Sequence, residues 1–496
     1  MTFLSLTYGL FLVIVLGIYW SVREPWLRLW TLLIASLVFY ASLQVVYIPL
    51  LFASLWLNFR IGQAIGEPPD WRIEDWQFAQ QDWNRRRVQL LWFGIVANVL
   101  LLVGFKYVPF LLSSVGGGLN WAAAQQNARW LDENLVVPLG LSFFTFECIA
   151  YLVDVYRGAP ATQQFLKFSA YKLFFPKLIS GPITRFHLFG TQFKAQQFPK
   201  PDQIVEGVWL IACGAVKKGL LSDNIGTFVD LCFGNLQRAG SGDLWLATFA
   251  YGLQLYLDFS GYVDIVRGSA ILLGFNLPQN FDFPYFSTSI ADFWRRWHMT
   301  LGDWLRNYLY FPLGGSRQGL QRTCLNLMIV MLIAGIWHGA AWGFVVWGAI
   351  HGLALVVHRL TQAYSDRTPR LKAFWPSLPG AVTAWLITQI MVFTAWIFFR
   401  LPNLKDSVWV VQHLWGHAAD AQFTQKIYLE GLKMERPQLA LLLWLIVVFM
   451  SVAYAFNRGL KLEINWPLKL LLVPISFYLV WLLAPQGSLP YIYFDF

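Results

Sequence analysis

LIAGIWHGAAWGFVVWGAIHG, Leu332 to Gly352, is an almost continuous apolar run whose only ionisable side chains are His338 and His351. A helix needs about 20 such residues to cross a bilayer, so the run reads as membrane-embedded. Runs of the same kind recur at Phe3–Trp20, twice between Trp30 and Phe59, and at Leu90–Leu112, Leu135–Val155, Val205–Leu221, Leu246–Leu257 and Asp264–Leu273. They resume at Cys324–His338, Trp342–His358, Ala381–Phe399, Leu439–Phe456 and Leu468–Leu483. The pattern predicts an all-α, polytopic membrane protein, a single membrane domain over residues 1–496. No removable leader is expected, because Phe3–Trp20 lacks a basic segment before it and a small-residue cleavage site after it.

Composition agrees. Hydrophobic residues make up 57% of the 496 and charged residues 13%, about half the usual share in soluble domains, which excludes a disordered or ordinary soluble chain. The formal charge of +10 reads as loop topology; no nucleic-acid partner is needed to explain it. Cys148, Cys213, Cys232 and Cys324 form no C-x-x-C pair, so neither a redox couple nor a zinc site is indicated.

Orientation follows from the basic residues. Arg23, Arg28, Arg60, Arg72, Arg85, Arg86 and Arg87 fall in connections on one side of the first four spans, and Arg129 falls on the other. By the positive-inside rule the N-terminus is extracytoplasmic. Residues 60–87 then form a cytoplasmic amphipathic loop in which Glu67–Arg87, with Trp71, Trp76 and Trp83 among charges, reads as a surface-lying helix.

Two stretches fit no clean span. Ser169–Gly190 mixes Lys172, Lys177, Pro176, Gly181 and Pro182 into apolar sequence and reads as a re-entrant or broken helix. Ser289–Tyr310 is helical by pattern but too charged to face lipid, and as a helix it would set Arg295, His298 and Leu305 near one face.

An ionisable side chain at membrane depth costs on the order of 3 kcal/mol unless paired or hydrated, which makes each one a functional candidate. His338 leads, with Gly335, Gly339 and Gly343 spaced to give a smooth face for close approach. His298 follows, among Arg295, Arg296 and Arg306, with Trp294, Trp297 and Trp304 able to wall a cavity. Asp303, five residues on from His298, diverges from it on a regular helix. His351 and His358 share a helix face but no third ligand has metal spacing, so no metal is expected. Asp264 and Arg267, one turn apart, read as a buried pair, and Glu147 and Asp258 are further acidic groups at depth.

Five segments resemble the membrane-bound O-acyltransferase family, and within it the bacterial alginate O-acetyltransferase membrane subunits. They are PLGLSFFTFECIAYLVDVYRG from Pro138, FFPKLISGPI from Phe174, YLDFSGYVDIVRGSAILLGFNLPQNFDFPY from Tyr256, DFWRRWHMTLGDWLRNYLYFPLGG from Asp292, and GIWHGAAWGFVVWGAIHG from Gly335. The resemblance, which runs from about Thr2 to Arg400, departs from the family at Lys177, Val263 and Arg267. It implies a ring of roughly 11 transmembrane helices plus re-entrant helices around a central tunnel. It further implies a multi-pass bacterial inner-membrane enzyme, with His338 and His298 as the catalytic pair and Arg295, Trp297, Trp337, Asp258 and Ser260 binding substrate. Acetyl-CoA is the implied acyl donor, consumed as a substrate with no cofactor. The implied partners are an extracytoplasmic acetyltransferase and a surface polysaccharide acceptor.

The chemistry suits the residues. Transfer from a thioester to a hydroxyl needs a base, and histidine, with a reference pKa near 6.5, is matched to neutral pH. His338 is assigned as base and His298 as a positioning or oxyanion-stabilising group, and the residues also admit the reverse. A lipid or protein acceptor, or a polysaccharide export channel, are the competing readings; the absence of an internal repeat speaks against a transporter. The aromatic tail, residues 485–496, ends in YIYFDF, too short to span, and is expected at the interface or docked against the outward partner.

Single cysteines placed at Gln80 and Gln125 in a cysteine-free background test the orientation. In intact cells an impermeant thiol reagent should label Gln125→Cys and spare Gln80→Cys; labelling at Gln80→Cys would reverse the topology.

Overall fold

Helices and loops alone build the described part of the chain, and the computed structural model contains no strand there; it describes residues 1–69, 76–194, 197–485, 487 and 489–494. Among the described residues, seven helical runs are long and apolar enough to cross a membrane: Pro25–Gly66, Gln80–Lys106, Gly319–His338, Trp342–Ser365, Leu378–Arg400, Arg436–Gly459 and Trp466–Leu483. Leu6–Ser21 and Val108–Gly118 are shorter apolar helices. The protein is all-α and multi-pass. Leu470, Leu471, Tyr478, Trp481 and Leu482 on Trp466–Leu483 are exposed, a surface that lipid tolerates and water does not.

The chain divides into two compact units, one of Met1–Gly207 with Val266–Pro278, the other of Val208–Ile265 with Gln279–Asp495. In the first, the span expected at Leu135–Val155 starts as a helix only at Leu141. Pro138 and Gly140 precede it, and Gly140 has φ +75 with a carbonyl, Leu178 O, 2.8 Å from where a Cβ would stand. Ser169–Gly190 is broken as its prolines require: helix Phe165–Lys172 gives way to a buried non-helical run before helix Phe186–Gln192. That run holds an ion cluster. Lys177 Nζ lies 2.7 Å from both oxygens of the Glu147 carboxylate, Lys172 Nζ lies 3.1 Å from Oε2, and Thr184 donates to Oε1 through its amide and its hydroxyl. The loop over residues 60–87 is described in part, with Trp71 and Arg72 lying outside the described residues. Arg87 donates to Ile65 O and Tyr156 O and lies over the Trp83 ring. Helix Trp76–Lys106 carries this charged end straight into the apolar span.

In the second unit the two segments expected at Leu246–Leu257 and Asp264–Leu273 are one helix, Ser241–Leu272, which continues into the first unit's residues. Its acidic groups do not interrupt it because consecutive lysines on the π-helical stretch Val216–Ser222 neutralise them: Lys217 Nζ is 2.6 Å from Asp264, and Lys218 Nζ is 2.6 Å from Asp258. Asp264 therefore pairs with Lys217 rather than with Arg267, whose Nε donates to Leu277 O. Helices Gly319–His338 and Trp342–Ser365 form a close hairpin. Gly339 is extended at the turn, so Gly335, Gly339 and Gly343 do not share one helical face; Gly335 packs on Gly348 instead.

A Cβ at Gly335 would meet Phe344 O at 2.3 Å, backbone that cannot step aside. Gly335→Val should therefore destabilise the solubilised protein by about 1–3 kcal/mol, read as a lowered thermal midpoint. Gly9→Ala, with open space around it, is the control expected to leave the midpoint in place. Equal midpoints for both variants would show that the hairpin spreads without strain.

Candidate active site

The stretch Ser289–Tyr310 is not one helix. Ser289 Oγ accepts from Asp292 N and starts helix Ile290–Arg296, which stops at Trp297; helix Met299–Leu305 then begins with His298 as its N-cap. His298 sits in the left-handed region, φ +44 and ψ +54, which histidine enters more readily than most side chains. A neighbouring extended segment holds the break open: Met299 N donates to Asn280 O and Asp282 N donates to Arg296 O, both at 2.9 Å. The Asn280 side-chain oxygen accepts from Thr300 N and Thr300 Oγ1 at 3.0 Å each and lies 3.3 Å from His298 Nδ1.

That pairing has a chemical consequence. An amide oxygen can only accept, so the His298 proton belongs on Nδ1 and Nε2 is the basic nitrogen. Burial pushes the imidazole down to about 3, so it stays neutral through the physiological range. Buried at 0% exposure, His298 can accept a proton or orient a partner without carrying a resident charge.

His338 ends helix Gly319–His338 just where the hairpin turns, at 1% exposure. Its ring meets Trp337, Trp347 and Phe399 at centroid distances of 4.9, 5.0 and 5.1 Å. Between the two histidines lies a residue that neither sequence block contains. The ring of Tyr493, from the aromatic tail, is 5.9 Å from His298 and 5.8 Å from His338, and it stacks on Phe259 at 3.8 Å. The tail's Tyr491 and Tyr493 are thus buried inside the unit, while the terminal Asp495 and Phe496 lie outside the described residues.

The other sequence candidates separate. Trp337 is buried, 6.2 Å from His298 and against His338. Trp297 is buried one layer away, on Phe293 and Trp396. Asp258 is buried and committed: Oδ1 accepts from Lys218 and Oδ2 from Ile492 N of the tail. Ser260 is buried, its hydroxyl without a partner among the described residues. Arg295 is exposed. Asp303 pairs with Arg306 away from His298, as the helical spacing requires. His351, among Trp294, Trp347 and Trp396, is fully buried with both ring nitrogens unbonded among the described residues.

Sequence reasoning missed Asn280, Lys218 and the placement of Tyr493. Lys217 and Lys218 could have been found, since two charges in the apolar run Val205–Leu221 are the same signal that singled out Asp258. Asn280 left no such signal.

Comparison with known proteins bears on this geometry. The description MBOAT, membrane-bound O-acyltransferase family, matches residues 76–399, which include both histidines. A protein named "Probable alginate O-acetylase AlgI" from Pseudomonas aeruginosa is 35% identical over 460 residues, covering 91% of this chain and 81% of that protein. A peptidoglycan O-acetyltransferase from Helicobacter pylori is 36% identical over 416 residues, 78% of this chain and 74% of that one. A teichoic acid D-alanyltransferase from Bacillus subtilis is 25% identical over 285 residues, 55% of this chain and 69% of that one.

Asn280→Ala should leave His298 Nδ1 and both Thr300 donors without their shared acceptor, a loss of about 1–3 kcal/mol. Acyl transfer should fall roughly 10- to 100-fold if that loss falls on the transition state. Unchanged turnover in a folded Asn280→Ala protein would show that the amide does not orient His298.

Proposed function

The chain belongs to the membrane-bound O-acyltransferase family and is an O-acyltransferase, and from that premise we propose that it passes an acetyl group from cytoplasmic acetyl-CoA toward an exported polysaccharide. In this reading the helices form a ring of roughly 11 crossings, with a tunnel in which donor and acceptor meet. An extracytoplasmic acetyltransferase then carries the group onward. The observation that supports the assignment of the site is that His298 and His338, distant in sequence, flank one buried ring within one unit.

The steps follow from thioester chemistry. His338 takes the proton of an attacking hydroxyl as its oxygen adds to the thioester carbonyl, and the tetrahedral oxyanion collapses with loss of the coenzyme A thiolate, which is then protonated. Base catalysis of this kind contributes about 10²–10⁴-fold. His298, neutral and fixed by Asn280, positions the hydroxyl or the oxyanion. Holding thioester and hydroxyl in one enclosed site supplies orientation.

A peptidoglycan acceptor is the second reading, favoured by 36% identity to the Helicobacter enzyme. Incubating the purified protein with labelled acetyl-CoA, then identifying the labelled product, separates the two. His338→Ala should lower transfer at least about 10²-fold with helix content unchanged, because it removes a proton acceptor and little packing volume. Transfer near the wild-type rate by His338→Ala would remove the base assignment.

A further inference from the structure

Lys218 is buried where no charge is tolerated alone, and it makes more contacts than neutralisation requires. Its Nζ lies 2.6 Å from Asp258 Oδ1 and 2.8 Å from Asp223 Oδ1, and it donates at 3.1 Å to Pro490 O. Asp258 in turn takes a main-chain amide from the tail, Ile492 N donating to its Oδ2 at 3.1 Å, and the Leu489 amide favours the Asp223 carboxylate. One ammonium and two carboxylates thereby meet main-chain groups of Leu489, Pro490 and Ile492.

Side chains complete the seat. Leu489 fills a notch at Gly226, where a Cβ would stand 2.6 Å from its Cδ1. Tyr491 lies over Lys218 Nζ at 4.7 Å and edge-on to Tyr262. Lys218 stands on a π-helical turn, a rare backbone form that recurs at functional sites. A tail held only as an anchor would need its rings buried; it would not need its amides and carbonyl met by ionised groups, the stronger and more directional contacts.

We propose that Lys218, with Asp223 and Asp258, is a positioning clamp for residues Leu489–Phe494 of the tail, and that it acts on acyl transfer by seating Tyr493 between His298 and His338. The proposal rests on those histidines being the transfer site. Without the ammonium the two carboxylates face each other uncompensated in a dry interior, and the segment loses its register. Two carboxylates and one cation make the clamp sensitive to charge at residue 218 and tolerant of shape, so Lys218→Arg should keep it and Lys218→Met should not.

Two readouts test this on the full chain. Phe494→Cys, in a cysteine-free background, reports seating through its rate of modification by bimane. That rate should rise at least about tenfold when Lys218→Met is added, since labelling tracks the population of the released state, and should return toward its starting value with Lys218→Arg. Acyl transfer should fall in parallel, by about tenfold or more, and recover with Lys218→Arg. Because Lys218→Met could simply unfold the unit, a chain lacking Leu489–Phe496 supplies a second test. Added peptide LPYIYFDF should restore its transfer, whereas the same peptide with its Ile492 amide N-methylated, which removes the donor to Asp258, should not. A tail that stays protected in Lys218→Met overturns the clamp, and a released tail with undiminished transfer overturns its role in transfer. If the labelling arm behaves as expected while the wild-type protein transfers no acyl group, the reading of the site fails and the clamp stands.

Discussion

A charge buried among apolar side chains must meet its opposite there, and that constraint organises both units of this protein. Glu147 is met by Lys172 and Lys177 in the first; Asp258 and Asp223 are met by Lys218, and Asp264 by Lys217, in the second. All of these pairings except Asp223–Lys218 join segments distant in sequence, so they also fix how the chain folds back on itself. The tail shows this most directly, since Asp258 and Lys218 bind its main chain some 230 and 270 residues further on, at Ile492 and Pro490.

With the ions paired, helices end or begin at the two histidines proposed to carry the transfer. His338 is the last residue of its helix and His298 the residue before one begins. The break at His298 is held by Asn280, whose one oxygen serves three donors, and the turn after His338 by glycines that let two helices touch.

Much of this was legible in the sequence, and the failures have a common cause. Apolar runs of spanning length, the all-helical class and the two histidines all follow from local pattern. What local pattern cannot carry is partner choice. Asp264 and Arg267 are one turn apart and look paired, yet a lysine 47 residues upstream takes the aspartate. Ser289–Tyr310 has helical periodicity throughout, and only the hydrogen bonds from residues 280–282 reveal that Trp297 and His298 leave the helix. The tail's aromatic character was visible, but four rings say nothing of whether lipid or protein will cover them; two buried carboxylates decide that.

The pairing of ions also limits how this site can stabilise charge that develops during transfer. Arg295, placed near the site by the sequence, is exposed; Lys218 is held between two carboxylates; His298 is neutral. None of these three is a buried cation free of a carboxylate. In the proposed reading, stabilisation falls to oriented dipoles, such as indole N–H groups, which act strongly in a water-excluded site because they need no reorganisation as charge appears. Such a site depends on geometry far more than on ionic strength, and geometry here is what the broken helix, the glycine-packed hairpin and the clamped tail supply.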